Sequence, residues 1–302
     1  MRAGILAGLT WAIETMLLSG ALNLPFFAKN LQLAFLAPFI CAFLHDSCSS
    51  LLLAGQGAWR AWQRQYWWIV LAAAIGGPVG MTGYVLAVKF MGPALGAVAC
   101  AIFPAAGAVL AYLILGEQLT PARWGCLLAT LLGVYGLSAS SHLATVNLLF
   151  GLASAIMCAG GWGLEAVILA KCLKGGVKPS HALQIRQTAS AIVSGILLLA
   201  LLPAGIFFHP VLGQGRLWLF ISFASAFATV SYLFYYKAID QLGPSKAMAL
   251  NVTSSAWAYL FTVFSGQWDL VNGKSLFFAL LVFAGSILTA GDWQELFKRG
   301  DH

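Results

Sequence analysis

The sequence predicts an all-α integral membrane protein with ten transmembrane helices arranged as two inverted five-helix repeats. Two observations lead to this fold class. Hydrophobic residues make up 61% of the 302-residue chain and charged residues only 8%, whereas a soluble protein carries about 25% charged residues. The chain also repeats itself, because the pattern around Trp11 and Glu14 recurs around Trp162 and Glu165, 151 residues later.

Apolar segments long enough to cross a bilayer follow one another along the chain. Each is about 20 residues long, the length that a helix needs to span the hydrocarbon core. Short breaks rich in Gly, Pro, Asn and Lys separate them, so no separate soluble domain is expected. Glu14 interrupts the first segment, which we therefore interpret as a span rather than a signal peptide. The ten predicted spans are 4–23, 31–54, 67–88, 93–115, 121–140, 147–170, 181–203, 216–238, 244–265 and 274–292.

The distribution of Lys and Arg predicts the orientation. With the N-terminus in the cytoplasm, eleven of these residues fall on the inner side and four on the outer side, while Arg186 lies within a span. Cytoplasmic loops carry the excess of basic residues, so both termini are predicted to be cytoplasmic. The net charge of +7 is scattered over short loops without a basic run, and it therefore does not indicate nucleic acid binding.

Cysteine and histidine spacing gives no indication of a metal site or of another cofactor. The six cysteines lie mostly within apolar segments and show no CxxC or His/Cys ligand spacing. We interpret them as reduced, small hydrophobic side chains. No nucleophile or metal-ligand set accompanies His45 and Asp46, so an intramembrane enzyme is not favoured.

The internal repeat predicts how the two halves are arranged. The repeats extend over residues 1–140 and 147–293, and each contains five predicted spans. Because five is odd, the second repeat enters the membrane in the opposite orientation. Transporters built this way have a pseudo-two-fold axis in the membrane plane and bind their substrate near it, at mid-depth.

Two repeated Trp–Glu pairs are expected to form a pocket near that axis. Trp11–Glu14 and Trp162–Glu165 have the spacing i, i+3, which places each pair on one helix face. Two indole rings and two carboxylates suit a cation, and quaternary ammonium groups are the usual ligands of aromatic cages. Other candidates, for which core packing is the alternative, are Tyr232, Tyr236, Asn251 and Trp257, with Met81, Tyr84 and Tyr235 as secondary candidates.

A second group of polar residues within the predicted spans consists of His45, Asp46 and Arg186. Asp46 and Arg186 carry opposite charges on repeat-related helices, so one interpretation is a structural ion pair that neutralises both. The alternatives are a gate that forms in one state of the protein, or a proton relay through His45, because histidine titrates nearest to physiological pH.

Several motifs resemble those of known transporters over nearly the whole chain. "GEQLTPARW" after span four and "GP" at the start of spans four and nine resemble the drug/metabolite transporter (EamA-like) superfamily. Within it, the chain is most similar to LicB-type choline permeases. The motifs behind this closer resemblance are "HD" at 45–46, "GGPVGM" at 76–81, "AVKFMG" at 87–92, "WGLE" at 162–165, "IRQTAS" at 185–190, "SYLFYYKAI" at 231–239 and "LNVTSSAW" at 250–257.

The resemblance implies a permease of the bacterial cytoplasmic (inner) membrane that imports choline, or a similar quaternary ammonium cation, by alternating access. Its partners would be this cation and membrane lipid, with proton coupling and the choice between monomer and dimer left open. The alternative is a proton-coupled exporter of drugs, amino acids or other amines, in which Glu14 and Glu165 exchange protons for substrate. The positions that match the family's aromatic cage are Trp11, Trp162, Glu165, Tyr232, Tyr236, Asn251 and Trp257.

Overall fold

The computed structural model describes a chain built of helices, and a helix lies within each of the predicted spans. Some predicted positions lie outside the described residues, namely the ends of spans at 140, 203, 265 and 292 and the end of the second repeat at 293. Lys298 and Arg299, which count toward the predicted orientation, also lie outside them. The described residues are 1–29, 31–60, 62–91, 96, 99–138, 147–201, 211, 213–264 and 272–291.

Short helical segments join some of the described α-helices. Two 3₁₀ segments, Ala54–Gln56 and Ala58–Arg60, lie between α3 and α4, and a π-helical segment, Ile75–Val79, joins α4 to α5. In chain order the described helices are α1 (Arg2–Leu22), α2 (Pro25–Ala28), α3 (Leu31–Leu52), α4 (Tyr66–Ala74), α5 (Gly80–Met91), α6 (Phe103–Leu115), α7 (Pro121–Ser138), α8 (Leu148–Lys174), α9 (Pro179–Leu201), α10 (Gly215–Leu242), α11 (Pro244–Asn251), α12 (Ser254–Phe264) and α13 (Gly273–Ala290).

Seven helical segments of the described chain are long and apolar enough to cross a membrane, which makes this a multi-pass membrane protein. Within the described residues, the three other predicted spans are shorter, more polar or divided. Helix α6 has only 13 residues, α7 begins with the polar and bulky run "PARW", and the ninth predicted span is divided into α11 and α12. The seven segments are Arg2–Leu22, Gln32–Gln56, Tyr66–Met91, Leu148–Lys174, Pro179–Ala200, Gly215–Leu242 and Gly273–Ala290.

The third span differs from its counterpart in the second half of the chain. Pro78 lies inside the π-helical segment, since proline cannot donate the backbone hydrogen bond that a regular helix needs at that position. Single π turns of this kind are common at functional sites. The corresponding helix of the second half, α10, is continuous over 28 residues. The break in the third span therefore belongs to the first half alone.

Helix packing follows one rule in both halves. Helix α1 packs along α10 and also contacts α11 and α12, which are the third and fourth spans of the second half. Helix α8, the first span of the second half, packs along α4 and α5 and contacts α6, which are the third and fourth spans of the first half. Helix α3 packs against α9, and α7 against α13. Each half thus completes its packing with helices of the other.

Close contact between backbones fixes the crossing of α6 and α8. A Cβ atom placed on Gly163 would lie 2.8 Å from the backbone nitrogen of Gly107, which leaves no room for a side chain at this point. Small residues allow membrane helices to approach in this way. The crossing places the middle of α8, with Trp162 and Glu165, beside the start of α6.

Two clusters of buried apolar residues lie on either side of a central cavity. One contains Tyr66, Ile69 and Met248, at helix ends that the orientation rule predicts to be cytoplasmic. The other gathers around the connection between α1 and α3 and contains Phe27 and Ile40. Members of both clusters also line the cavity.

Candidate functional site

The cavity brings together almost all of the residues that the sequence predicted. Its volume is about 340 Å³, and thirteen of the fourteen predicted site residues line it. They come from α1, α3, α5, α8, α9, α10 and α11, so both halves of the chain contribute. These thirteen residues are Trp11, Glu14, His45, Asp46, Met81, Tyr84, Trp162, Glu165, Arg186, Tyr232, Tyr235, Tyr236 and Asn251.

Trp257 is the predicted site residue that does not line the cavity. Its ring packs edge-on against Phe283 of α13, with 4.9 Å between ring centroids, and stacks on Phe261 at 6.5 Å. Its indole Nε1 has no hydrogen-bond partner among the described residues. The helix is interrupted between α11 and α12. Trp257 on α12 does not line the cavity, whereas Asn251 on α11 does.

Arg186 lies at the centre of the charged groups. Its Nε donates a hydrogen bond to Glu165 Oε1 at 2.7 Å, and its Nη1 lies 3.6 Å from Asp46 Oδ2. The sequence suggested an ion pair between Asp46 and Arg186, whereas in the structure Glu165 is the nearer partner. All three side chains are buried, which is tolerable only because opposite charges meet.

His45 connects the remaining acid to this group. Its Nδ1 lies 3.0 Å from Asp46 Oδ1, and its Nε2 lies 3.8 Å from Glu14 Oε1. The other Glu14 oxygen, Oε2, accepts a hydrogen bond of 3.3 Å from the Thr15 hydroxyl. Histidine is charged only when protonated, so the pairing of Glu14 depends on the protonation of His45. The chain of polar contacts therefore runs from Glu14 through His45 and Asp46 to Arg186 and Glu165.

Aromatic rings form two walls of the cavity. On one side Trp11 meets Tyr232 edge-on, with 5.3 Å between ring centroids, and Tyr232 meets Tyr236 at 6.1 Å. On the other side Trp162 stacks on Tyr84 at 6.0 Å and meets Phe103 edge-on at 5.7 Å. Each wall therefore combines a Trp with a ring from the opposite half of the chain. The Arg186 guanidinium lies over the Tyr232 ring, 4.9 Å from its centroid.

Sequence reasoning missed several lining residues. Phe103 was not singled out, although the adjacent Pro104 marks the start of a helix and so gave a weak signal. Small polar residues were also missed, because an isolated Ser or Thr in an apolar segment carries no distinctive pattern. They are Thr15, Ser190, Ser194, Ser254 and Ser255.

Glycines let the backbone of the third span approach the site residues. A Cβ atom on Gly76 would overlap the carboxylate of Glu165, and one on Gly80 would lie 2.7 Å from Trp162 Cδ1. Both glycines flank or lie in the π-helical segment. The irregular backbone around Pro78 thus lies directly against the Trp–Glu pair of α8. This contact gives a physical reason for the "GGPVG" pattern.

Four polar atoms in the cavity have no hydrogen-bond partner among the described residues, namely His45 Nε2, Ser190 Oγ, the Tyr236 hydroxyl and Asn251 Oδ1. The side chains of Tyr236 and Asn251 are both buried. A buried polar atom without a partner is unfavourable, so each of these groups is available to a ligand. The cavity therefore offers carboxylates, aromatic faces and uncharged polar atoms together. Within the described part of the chain, no group of three or more His, Cys, Asp or Glu is arranged to hold a metal ion.

Fold and cavity together define the class of this protein. Membrane-crossing helices from both halves enclose a buried cavity with aromatic, acidic and polar walls, as expected of a transporter of small molecules. Comparison with known proteins agrees, because residues 2–139 match the EamA-like transporter family. The first half of the chain is thus similar to this family, and the protein is a transporter rather than an enzyme.

Two relatives extend this assignment. Protein LicB of Haemophilus influenzae is 29% identical over 293 residues, which is 95% of this chain and 95% of that protein. A solved crystal structure with 18% sequence identity superimposes with a TM-score of 0.71, over 95% of this chain and 96% of the other. This second likeness extends the agreement in fold to nearly the full length of the chain.

Proposed function

We propose that this protein imports choline, or a similar quaternary ammonium cation, by alternating access. The observation that carries the proposal is the combination of acids and rings in the cavity. Three carboxyl groups, those of Glu14, Asp46 and Glu165, face it against the single guanidinium of Arg186. When these acids are ionised the cavity is negative, and its two Trp-containing walls favour a cation that cannot donate hydrogen bonds.

The uncharged groups of the cavity suit the other end of choline. A choline hydroxyl can donate to Asn251 Oδ1 or bond to the Tyr236 hydroxyl, both of which lack a partner in the described structure. The cavity volume of about 340 Å³ lies at the lower end of the range for small-molecule sites, about 300 to 1,000 Å³. A compact ligand with a methylated ammonium group and one hydroxyl matches this size and these partners.

The packing of the two halves supports the mechanism. In both halves the first span packs on the third and fourth spans of the other half, as two repeats related by a two-fold axis would do. Repeats over 1–140 and 147–293 would rock against each other around the cavity. No chemical step on the substrate is needed, and no cofactor is invoked.

The predicted orientation gives the direction of transport. Leu18, Phe39 and Leu197 line the cavity toward the helix ends predicted to be outside, and Leu169 and Tyr236 line it toward the ends predicted to be cytoplasmic. With both termini cytoplasmic and the chain in a bacterial inner membrane, the site would receive its cation from outside. An inside-negative potential favours cation entry by about 2.3 kcal/mol per 100 mV.

Choline binding to the purified protein tests the proposal. We expect binding by the wild type, weak competition by ethanolamine, and loss of binding in Glu165→Gln and Trp162→Ala. Trp257→Phe is the matched control, because Trp257 lies outside the cavity wall and its loss leaves binding intact. A folded wild type that binds no choline would sink the choline proposal.

A second candidate function is proton-coupled export of drugs, amino acids or other amines. The contact of 3.8 Å between Glu14 and His45 favours it, because a carboxyl beside an imidazole can take up and release protons within the cavity. Uptake into proteoliposomes separates the two candidates. Accumulation driven by a membrane potential at equal pH supports choline uniport, whereas transport that requires a pH gradient and accepts many amines supports the exporter.

A further inference from the structure

Arg186 occupies the place that the proposed substrate needs. Its guanidinium lies 4.9 Å from the centroid of the Tyr232 ring and donates a 2.7 Å hydrogen bond to Glu165. An aromatic face and a carboxylate are the two kinds of group that a quaternary ammonium cation seeks. Arg186 and Glu165 are only 5% and 7% exposed, so solvent does not replace these interactions. A substrate cation and Arg186 therefore compete for the same partners.

Arg186 also has partners to which it can turn. Its Nη1 donates to Gln187 Oε1 at 2.6 Å and lies 3.6 Å from Asp46 Oδ2. Gln187 follows Arg186 on α9, and Asp46 belongs to the neighbouring helix α3, whereas Glu165 belongs to α8. A guanidinium has five N–H groups in a fixed fork, so it can leave one acid while it keeps another.

These alternative partners are held in place by a network of hydrogen bonds. Gln187 Nε2 donates to the Ser49 hydroxyl at 3.0 Å, and Ser49 in turn contacts the Thr229 hydroxyl at 2.7 Å. The network joins α9, α3 and α10 and buries all three side chains. Asp46 also contacts His45 at 3.0 Å. The two groups that accept from Arg186 on this side are thus each held by a further contact of their own.

We propose that Arg186 is an internal cation that exchanges with the transported one. In the empty carrier it neutralises Glu165 and covers Tyr232. An entering quaternary ammonium cation displaces it toward Asp46 and Gln187, and departure of the cation lets it return. This inference rests on the proposed function, because it requires that the transported molecule is a cation bound by Glu165 and Tyr232.

The replacement of Arg186 by the substrate cation, and its return, have a consequence for the transport cycle. An empty carrier must also reorient, and a buried carboxylate without a partner opposes this step. With Arg186 on Glu165, the empty carrier has its charge compensated and completes the cycle alone, which yields net uptake. Without Arg186, only the substrate-loaded carrier would reorient readily. The protein would then exchange choline across the membrane but would not accumulate it.

Proteoliposomes that measure net uptake and exchange separately test this inference. For Arg186→Gln we expect net uptake of labelled choline to fall about a hundredfold, while exchange against internal unlabelled choline stays within about threefold of wild type. We also expect tighter choline binding, because the internal competitor is gone. Arg186→Lys keeps a cation at this position and is the matched variant, with net uptake largely preserved.

Two outcomes of this assay would overturn the inference. Equal loss of net uptake and exchange in folded Arg186→Gln would indicate an ion pair with only a structural role. Net uptake at the wild-type rate would indicate that the empty carrier does not need Arg186. Weaker choline binding in this variant would likewise contradict competition between Arg186 and the substrate.

A measurement on the wild type keeps the inference testable if Arg186→Gln does not fold. The chain has seven arginines, so ¹⁵N-arginine labelling gives few Nε–H resonances, and the one absent from Arg186→Lys is that of Arg186. We expect saturating choline to shift this resonance as the bond to Glu165 breaks. Choline binding without any shift would overturn the inference alone. Absence of choline binding would instead overturn the proposed function.

Discussion

The two halves of the chain place the same acid in different surroundings. Glu165 of the second half accepts a 2.7 Å hydrogen bond from Arg186, a group that is always charged. Glu14, its repeat counterpart, lies 3.8 Å from His45, which is charged only when protonated. His45 and Arg186 occupy matching positions of the two repeats if the loop after the first span is ten residues longer in the first half. The halves thus share the acid and differ in the group that neutralises it.

This difference assigns separate tasks to two acids that look equivalent in the sequence. A permanent cation keeps the Glu165 site neutral whenever no substrate is bound. A titratable partner makes the charge near Glu14 depend on pH. The shape of the neighbouring backbone differs too, since the π-helical segment of the first half packs on Glu165. The experiments below test how far the two halves differ in function.

The largest effect is expected for Glu165→Gln. This change leaves Arg186 without its nearest partner, and breaking a buried ion pair costs about 3–5 kcal/mol. Arg186 would then repel a bound cation, so choline affinity should fall about a hundredfold or more, as measured by isothermal titration calorimetry. Glu14→Gln is the matched variant, with an expected loss below about tenfold. Equal losses would mean that the halves do not differ in this respect.

The melting temperature distinguishes loss of the ion pair between Glu165 and Arg186 from loss of a contact between Glu165 and choline. Glu165→Gln is expected to lower the melting temperature, and the double variant Glu165→Gln with Arg186→Gln to recover much of it, because no unpaired charge remains buried. Choline affinity should stay low in the double variant. Recovery of affinity there would show that Glu165 does not contact the substrate.

The two aromatic walls are expected to contribute about equally. A cation–π contact away from water contributes about 2 kcal/mol, so Trp11→Ala and Trp162→Ala should each weaken choline binding about thirtyfold. Replacement of either residue by Phe should recover part of the loss. A loss confined to Trp162→Ala would place the cation against one wall only, and would make the second half the main binding half.

Gly76→Ala tests the contact between the π-helical segment and Glu165. The added methyl group would overlap the Glu165 carboxylate and push it from its position, and overpacking of this kind costs about 1–3 kcal/mol. We expect choline affinity to fall about tenfold. Gly160→Ala is the control on α8, because a Cβ atom there meets nothing within 4 Å. A similar loss in both variants would indicate a general effect on the helices.

His45→Gln is expected to change pH dependence more than affinity. Protonated His45 adds a positive charge beside Glu14 and Asp46, so the wild type should bind choline about threefold more weakly at pH 6 than at pH 8. The variant cannot gain this charge, and its affinity should stay level over the same range. A wild-type profile that persists in His45→Gln would locate the titrating group elsewhere.

The smallest effect is expected for Trp257→Phe. Because the Trp257 ring packs on Phe283 and lies outside the cavity wall, choline affinity should change by no more than about twofold. A slight fall in melting temperature would accompany the loss of ring area. A tenfold loss of affinity would mean that Trp257 enters the site in another state of the transporter.

The sequence was most informative at positions whose residues recur in both halves of the internal repeat. Trp11, Glu14, Trp162 and Glu165 were predicted to share a pocket because each pair recurs, and all four line the cavity. The choice of Arg186 between Asp46 and Glu165 could not be predicted. The sequence indicated Asp46 as the partner of Arg186, whereas Glu165 is the nearer one, because the outcome depends on side-chain reach across α8 and α9.

Local breaks in the helices limited the other predictions. The position of Trp257 could not be predicted, because the run "NVTSS" at 251–255, where α11 ends and α12 begins, contains neither glycine nor proline to mark a break in the helix. Phe103 escaped notice because a single Phe in a membrane span is ordinary. Hydropathy alone also did not predict that α6 begins only at Phe103.

The crossing of Gly107 and Gly163 has a geometric consequence for how far the helices need to travel. Helix α8 has 27 residues, and its outer end lies about 22 Å from Gly163 at 1.5 Å per residue. A tilt of about ten degrees about the crossing would displace that end by about 4 Å, while the two glycine backbones stay in contact. Such an angle is small beside the ordinary spread of helix tilts in membranes. The width of the outer entrance can therefore change by more than an atomic diameter without a helix bending, unwinding or separating from its neighbour.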